Sequence, residues 1–408
     1  MKDSSIQDAD RFIGWCSGFK KNTFGCSIKS IKAKCYLYFL GIVSIFFRRK
    51  AVSVEACEVL LLQASEKVVG YNRKSAFKKQ LVESGVLMKE VPMLTISKVF
   101  LSRSLYGEVE HKGFKYFFLQ CYAKYLVTKY RPKVILNDRN GALLSVFLKE
   151  EVENIGGVLV QLAHATTTEG SRKLALNHYH YYFLFGMSSY DALLKRDVMV
   201  GDSKAVIVGS HMVDKTFDIP PETFENKTIL LLGVGPDREK EDVGIKNYEL
   251  IFEWVCTRPD LTLMIKAHPR SDLSFWLEKS TSHQNIKVFD KKVLLSEAFR
   301  VAGAVISISS NAIIEAALSR RPLICVDRTG GDDIFSFEKI YGEIAKNAFE
   351  IDRSYEDIVQ NYDENLERSE RFSNYHLSHG FDGLDNTVSA VQMLLKNKEV
   401  DFLPLKAK

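Results

Sequence analysis

The sequence predicts an α/β protein of two consecutive domains, each a parallel sheet flanked by helices. Three observations carry that expectation. Short runs rich in leucine and β-branched residues alternate with longer stretches of helical periodicity, the pattern of parallel strands joined by crossover helices. The alternation pauses once, near the middle, at "DKTFDIPPETFENK" (Asp214 to Lys227), which has paired prolines and little apolar periodicity. The chain has 408 residues, 46% of them hydrophobic, enough for two separate cores.

The first fifty residues stand apart as a basic and apolar segment. Its apolar run "YLYFLGIVSIFF", Tyr36 to Phe47, is shorter than the roughly 20 residues a spanning helix needs. "RRK" follows it directly and the leading segment is long, which argues against a signal peptide. Lys29, Lys32 and Lys34 precede the run and Arg48 to Lys50 follow it. That pattern suits a helix lying at an anionic bilayer surface, in peripheral contact with the inner face of the cytoplasmic membrane. It equally suits a core helix with solvated ends, and the residues leave both readings open.

From residue 51 the strands follow in order. "EVLLLQAS" (Glu58 to Ser65), "KVILND" (Lys133 to Asp138), "GGVLVQLAH" (Gly156 to His164), "YHYYFLFG" (Tyr179 to Gly186) and "KAVIVGS" (Lys204 to Ser210) build a first domain over 51–213. A linker is expected over 214–226. "KTILLLGVG" (Lys227 to Gly235), "LTLMIKAH" (Leu261 to His268), "NIKVF" (Asn285 to Phe289), "AGAVISIS" (Ala302 to Ser309) and "RPLICVD" (Arg321 to Asp327) build a second over 227–395, followed by a basic tail over 396–408. Two such domains imply a cleft between the carboxyl ends of two sheets, where ligands of such sheets bind.

Composition narrows the partners. A formal charge of +5 is too mild to mark a duplex-binding surface, and no basic stripe with interleaved aromatics appears, so nucleic acid is not an expected partner. Seven cysteines are an odd number, and Cys16, Cys26 and Cys35 lack paired metal or redox spacing. Reduced thiols in a cytoplasm are the simplest account.

Two stretches of the second half carry the chemistry. In "LMIKAHPRSD" (Leu263 to Asp272), a buried strand would deliver Lys266, His268 and Arg270 to its carboxyl end, with Pro269 stiffening the turn. Cations there suit an anion; the alternative is a histidine that only caps a turn. In "AGAVISISSNAIIEAALSRRPLICVD", a strand ends on Ser309, Ser310 and Asn311 before a helix that starts near Ala312. Serine or asparagine is a natural N-cap, and the same amides and hydroxyls can hold an anion. Glu315 follows within a turn, where a carboxylate can accept hydrogen bonds from a ribose diol or simply lie in solvent. "LLGVGPDRE" places Gly233 and Gly235 after a strand, where bare amides can approach phosphate.

This combination of a strand ending in His-Pro, a serine-rich turn, a helix with an internal Glu-Ala and a basic-Pro-apolar strand resembles the donor domain of GT-B glycosyltransferases. It is most similar to the bacterial CMP-sugar-dependent sialyl- and polysialyltransferases and the Kdo transferases of capsule and lipopolysaccharide synthesis. The resemblance implies two Rossmann-like domains facing across a cleft. Residues 51–213 would then bind the acceptor and 227–395 the nucleotide donor. It also implies phosphate contacts by His268, Ser309 and Ser310 and a ribose contact by Glu315.

On the acceptor side, "KVILNDRNGALL" ends a strand on Asn137, Asp138, Arg139, Asn140 and Gly141. Bacterial sialyltransferases carry an acidic pair before a glycine there, one acid being the general base; here Asp138 is the only acid. "VQLAHATTTEG" offers Glu169 as a second candidate, resembling the Gln-His-Gly turn of capsule enzymes with Ala165 in place of glycine. Apart from Asp8 and Asp10, no Asp-X-Asp appears, so no catalytic metal is expected and no cofactor beyond the nucleotide-sugar substrate.

The implied function is transfer of a sugar, Kdo or sialic acid from a CMP donor, to a hydroxyl of a surface glycan or glycolipid. Asp138 or Glu169 would take the acceptor proton while His268 and the serines stabilise the leaving phosphate. A CDP-glycerol-type polyol-phosphate transferase, a nucleotide-sugar epimerase and a silent scaffold are the other readings. The readings that bind a nucleotide phosphate expect the histidine and the two serines to approach one another across neighbouring strands.

Overall fold

The computed structural model describes residues 2–16, 24–107, 114–166, 171–223, 225–235, 239, 241–268 and 270–408, apart from the side chains of residues 2–4, 24–30 and 242. The chain forms two compact units. One comprises residues 1–185, 189–212 and 384–408, the other residues 186–188 and 213–383.

The first unit contributes β1 (Val59–Gln63), β2 (Met88–Pro92), β3 (Val134–Asn137), β4 (Val158–Leu162), β5 (Tyr181–Leu184) and β6 (Ser203–Ile207). The second contributes β7 (Thr228–Leu232), β8 (Thr262–Lys266), β9 (Ile286–Val288), β10 (Ala304–Ser307), β11 (Leu323–Val326) and β12 (Ile344–Ala345). Every pairing among these twelve strands is parallel. Parallel strands covered by helices on both faces need apolar side chains in both directions. That is why β1, β3, β5, β10 and β11 are buried at every position. The ten strands expected from the sequence are all present.

Three further strands escape the apolar pattern. The strand β2 has the sequence MKEVP and a mostly half-buried profile, as befits a sheet edge where a proline costs no ladder bond. The strand β12 is only two residues long. The third, β13 (Leu403–Leu405), corrects the expected tail. It pairs antiparallel with β6 on the far edge of the first sheet, Leu403 opposite Ala205. The Asn177 side-chain amide donates to the Leu405 carbonyl at 3.2 Å.

The expected domain boundary moves for the same reason. The helix Gly383–Leu395 lays Val388, Val391 and Leu394 into the core beside Val59, Leu61, Val134, Leu136, Phe77 and Leu81. Residues 384–408 therefore complete the first unit instead of ending the second. The first fifty residues also belong to that unit and are not a separate appendage. Their helix Phe24–Phe47 buries Leu40 and Ser44, and a Cβ on Gly41 would collide with the Phe114 carbonyl oxygen, so glycine permits that close approach.

In the first sheet the order is β13-β6-β5-β4-β3-β1-β2, and in the second β12-β11-β10-β7-β8-β9. Strand progression reverses between β1 and β3 in one and between β7 and β10 in the other. Crossover helices leave a sheet in opposite directions at such a point, opening a crevice outside the carboxyl ends where ligands of open α/β sheets bind. The second core lies on one face of its sheet, where Ile229, Leu231, Leu263, Ile265, Ile306 and Val326 meet Tyr248, Trp254 and Trp276.

The carboxyl-terminal helix gives the first prediction. Leu394→Ala should cost about 3 kcal/mol in urea denaturation, and removing residues 401–408 should lower the melting temperature. Unchanged stability in both would return the segment to a loose tail.

Candidate functional site

The exits of β7, β8 and β10 present most of the residues singled out in the second half. Gly233 lies against β8, its own amide donating to the Lys266 carbonyl at 3.0 Å, and a Cβ there would stand 2.9 Å from the Ala267 Cα. Glycine is what lets the two exits touch. Around Gly235, by contrast, an added Cβ would meet no atom of the described residues within 4 Å. The Ser271 hydroxyl donates to the Val234 carbonyl at 2.5 Å, and the Asp272 amide to Glu239 Oε2 at 2.9 Å, tying the β8 exit to the β7 exit.

Within that turn the Arg270 amide donates to His268 Nδ1 at 3.2 Å, and the Ser271 amide to the His268 carbonyl at 2.9 Å. An Nδ1 that accepts places the proton of the neutral ring on Nε2, the tautomer able to donate to an anion. The histidine is half-buried and the Arg270 side chain exposed. Lys266 is largely buried and its Nζ donates to the Lys291 carbonyl at 3.2 Å. Burial pulls its pKa below the usual lysine value, against the pull of Asp290 and Glu297. Its head is thus directed to the loop after β9, and the expectation of three cations pointing together into the mouth of a cleft is replaced by one anchored lysine, one oriented histidine and one exposed arginine.

After β10, the buried Ser307 hydroxyl accepts from the Ser310 amide at 3.3 Å, and the Ser310 hydroxyl accepts from the Ala312 amide at 3.3 Å. Ser310 thereby binds the first amide of the helix Ala312–Leu318. Asn311, the other expected cap, makes no side-chain capping bond. Ser309 lines a cavity of about 280 Å³ that also touches Asp327, Thr329, Gly331 and Asp332 at the β11 exit. In that loop burial works to raise the Asp327 carboxyl. Donation by Thr329, from hydroxyl and amide, and by the Gly331 amide outweighs it and holds the pKa below the usual value.

Glu315 differs from the other described acids of the unit. The residue as a whole is half-buried, yet its Oε2 is enclosed and has no hydrogen-bond partner. Burial pushes its carboxyl up from 4.5 to about 7. A carboxyl oxygen left without a donor is what a ligand's hydroxyl can satisfy.

One expectation about the geometry needs correction. His268 follows β8 and the serines follow β10, but β7 runs between those strands. The two groups are therefore not on neighbouring strands; they flank the Gly233–Gly235 exit, two strand spacings apart, or about 10 Å. An anion over Gly235 would have the histidine on one side and the serines on the other. The strand order puts this arrangement at the β7/β10 reversal.

In the first unit, Asp138 lies at the β1/β3 reversal, its amide donating to the Leu62 carbonyl at 3.1 Å. Its carboxylate is buried and paired with Lys74 at 3.0 Å, both side chains almost fully enclosed, and its Oδ1 has no partner. Beside it the Asn137 amide donates to Gln161 Oε1 at 2.5 Å and the Gln161 amide to Asn140 Oδ1 at 2.7 Å, forming a polar row across β3 and β4. Arg139 reaches Met93, its Nη1 3.6 Å from Sδ. Glu169 lies outside the described residues.

Sequence reasoning missed Lys74 and His211. His211 is buried with both ring nitrogens unpartnered and packs on Phe77 and Phe185, with ring centroids 5.4 and 5.6 Å away. Burial, then Lys74 and His164, drive its pKa well below the ordinary value and keep it neutral. "GSHMVD" reads as a strand exit, and nothing in it signals a buried imidazole. Among the described residues no group of three His, Cys, Asp or Glu side chains is arranged to hold a metal ion.

No known family model matches the sequence, and no curated protein matches it. Solved structures do. A UDP-GlcNAc 2-epimerase from Methanocaldococcus jannaschii gives a TM-score of 0.52 at 14% identity, covering 82% of this chain and 99% of that one. A UDP-GlcNAc 2-epimerase from Neisseria meningitidis, solved bound to UDP-GlcNAc, gives 0.52 at 12% identity over 82% and 99%. A glycotransferase of kitacinnamycin gives 0.52 at 11% identity over 84% and 100%. At such identities the likeness is one of fold: the chain has the GT-B fold, with two Rossmann-like units.

The enclosed groups yield two predictions. Lys74→Met should cost about 3–5 kcal/mol in urea denaturation because it strands the Asp138 charge, and adding Asp138→Leu should restore most of the loss. Glu315 binds its proton more tightly folded than unfolded, so its contribution to stability falls as pH rises from about 4.5 to about 7. Glu315→Gln should therefore gain on the parent by roughly 2–3 kcal/mol more at pH 8 than at pH 5. A gap that does not change with pH would contradict the enclosed carboxyl.

Proposed function

We propose that the chain is a sugar-nucleotide enzyme, a glycosyltransferase that holds its donor at the β7/β10 reversal of the second unit. The observation that carries this reading is the unpartnered Oε2 of Glu315 on the helix after β10, the helix whose first amide Ser310 binds. A ribose hydroxyl would supply the donor this oxygen lacks. The donor's phosphate would rest over Gly235, flanked by the Nε2–H of His268 and the hydroxyls of Ser309 and Ser310. As the anomeric bond breaks, charge grows on the phosphate oxygens, and these preset donors lower the barrier by meeting that charge where it forms. A protonated His268 can also pass its proton to the departing phosphate.

Removal of the acceptor proton is assigned to a carboxylate of the first unit, with Asp138 and Glu169 as the two candidates. Asp138 is held by Lys74 through Oδ2 at 3.0 Å, and its Oδ1 has no partner. The acceptor in this reading is a hydroxyl of a surface glycan or glycolipid. The sequence resemblance favours a CMP-linked acidic sugar as donor. A second reading, a nucleotide-sugar 2-epimerase, draws support from the names of two structural neighbours, one of them solved with UDP-GlcNAc.

A thermal-shift panel of CMP, CDP, UDP and GDP tests the donor site first. The expected result is stabilisation by one base in preference, and a UDP preference would replace the acidic-sugar donor. His268→Ala should weaken nucleotide binding about tenfold to a hundredfold, the worth of one hydrogen bond to a charged group. Nucleotide release that requires an acceptor supports the transferase; conversion of free nucleotide sugar with no acceptor supports the epimerase. Of Asp138→Asn and Glu169→Gln, the variant that removes about a thousandfold of turnover identifies the base.

A further inference from the structure

The helix Phe24–Phe47 presents two unlike faces. Its inner face buries Leu40, Gly41 and Ser44, and the Ser44 hydroxyl donates to the Leu40 carbonyl at 2.6 Å. The outer face carries Ile31, Cys35, Tyr38, Phe39, Ile42 and Phe46, spaced three and four residues apart so that they form one stripe along the helix. The stripe is open: Phe39 is 60% exposed and Phe46 78%. Leu101, at the end of the helix Ile96–Leu101, is 85% exposed, and its neighbour Phe100 lies edge-on to Phe47 at 5.1 Å.

At the carboxyl end of the stripe a cavity of about 620 Å³ opens beside Phe46, lined by Arg48, Arg49, Lys50, Tyr106, Gly107 and Lys124. Arg48 Nη1 donates to the Gly107 carbonyl at 3.0 Å. Arg49 donates through Nε to the Arg103 carbonyl at 2.9 Å and through Nη2 to the Ser102 carbonyl at 2.8 Å. These guanidinium groups are held in place by neutral carbonyls. No ion pair among the described residues engages Arg48, Arg49, Lys50 or Lys124, although the nearby Lys115 and Lys129 are paired with Asp10 and Glu55. These four cations around one cavity, continuous with an open apolar stripe, suit an anion whose surroundings are themselves apolar.

We propose that this face of the first unit docks on an anionic bilayer, with the stripe entering the headgroup region and a lipid phosphate seated in the cavity. Apolar area and basic charge act together in such contacts, neither being sufficient by itself. Among the described residues no helix is long and apolar enough to cross a membrane, so the contact is with one surface. Pairing of two copies through the stripe is disfavoured by charge. Lys32 and Lys34 flank one end and the cavity cations the other, so parallel or antiparallel packing sets like charges against each other. The inference is independent of the donor site and uses none of its residues.

Sedimentation of the full chain with vesicles tests it. Vesicles with about one-third phosphatidylglycerol should carry the protein down at low salt and release it at high salt, while phosphatidylcholine alone should not bind it. Lys50→Gln with Lys124→Gln should weaken binding roughly 25-fold, at about fivefold per cation. Phe39→Ser with Phe46→Ser should weaken it at least about tenfold, with the melting temperature and the nucleotide thermal shift unchanged. Wild-type protein that stays in the supernatant with anionic vesicles would overturn the proposal. So would binding that neither pair of substitutions alters, or a dimer in sedimentation velocity that Phe39→Ser with Phe46→Ser dissociates.

Discussion

Burial of a parallel sheet on both faces is the constraint from which the rest follows. With helices on each side, strand side chains must be apolar in both directions, and polar groups can enter only where the strands end. Ile229 to Leu232 of β7 and Ala304 to Ile306 of β10 are buried aliphatics or alanine, and the chemistry begins at Gly233 and Ser307, one step on. Reversal of the strand order then decides which of those ends lie beside a crevice. Asp138 and Gly235 owe their positions to this topology.

Much of the fold was legible because the same constraint writes itself into the sequence. A run such as "VLLL" or "LICV", short and bounded by turn residues, suits a buried strand, and all ten such runs contain one. The missed strands lie at sheet edges; β2 and β13 are partly exposed, which weakens the apolar signal, and β12 is only two residues long. The two largest errors were long-range. Nothing local in "TVSAVQMLL" says which of two cores it will fill, and its amphipathic pattern suits either. Nor does sequence order reveal that β7 runs between β8 and β10, which is why His268 and Ser309 were expected on adjacent strands. Lys74 was invisible for a related reason: a lysine at a helix start reads as solvated until its partner, 64 residues on, is brought beside it.

The enclosed polar groups set this protein apart from a simple scaffold of packed apolar layers. Lys74 with Asp138, the neutral His211 and the lone Glu315 carboxyl all raise the free energy of the folded chain relative to apolar substitutes of similar volume. Three of them gather at the strand exits of the first unit, and Glu315 lies on the helix that follows β10 in the second. Buried groups of this kind hold one arrangement rigidly, and that rigidity is what a preset binding or reacting group needs.

The split composition of the first unit bears on how the molecule is made. Its sheet gains β13, and its core gains Val391 and Leu394, from residues that a ribosome adds after all of 213–383. The second unit, contiguous apart from three residues, can reach its native state during synthesis while the amino-terminal sheet still lacks an edge and part of one helical layer. Vectorial production thus inverts the usual order: the half that starts first finishes last, and its exposed apolar surface must be kept from aggregating until the terminal helix arrives.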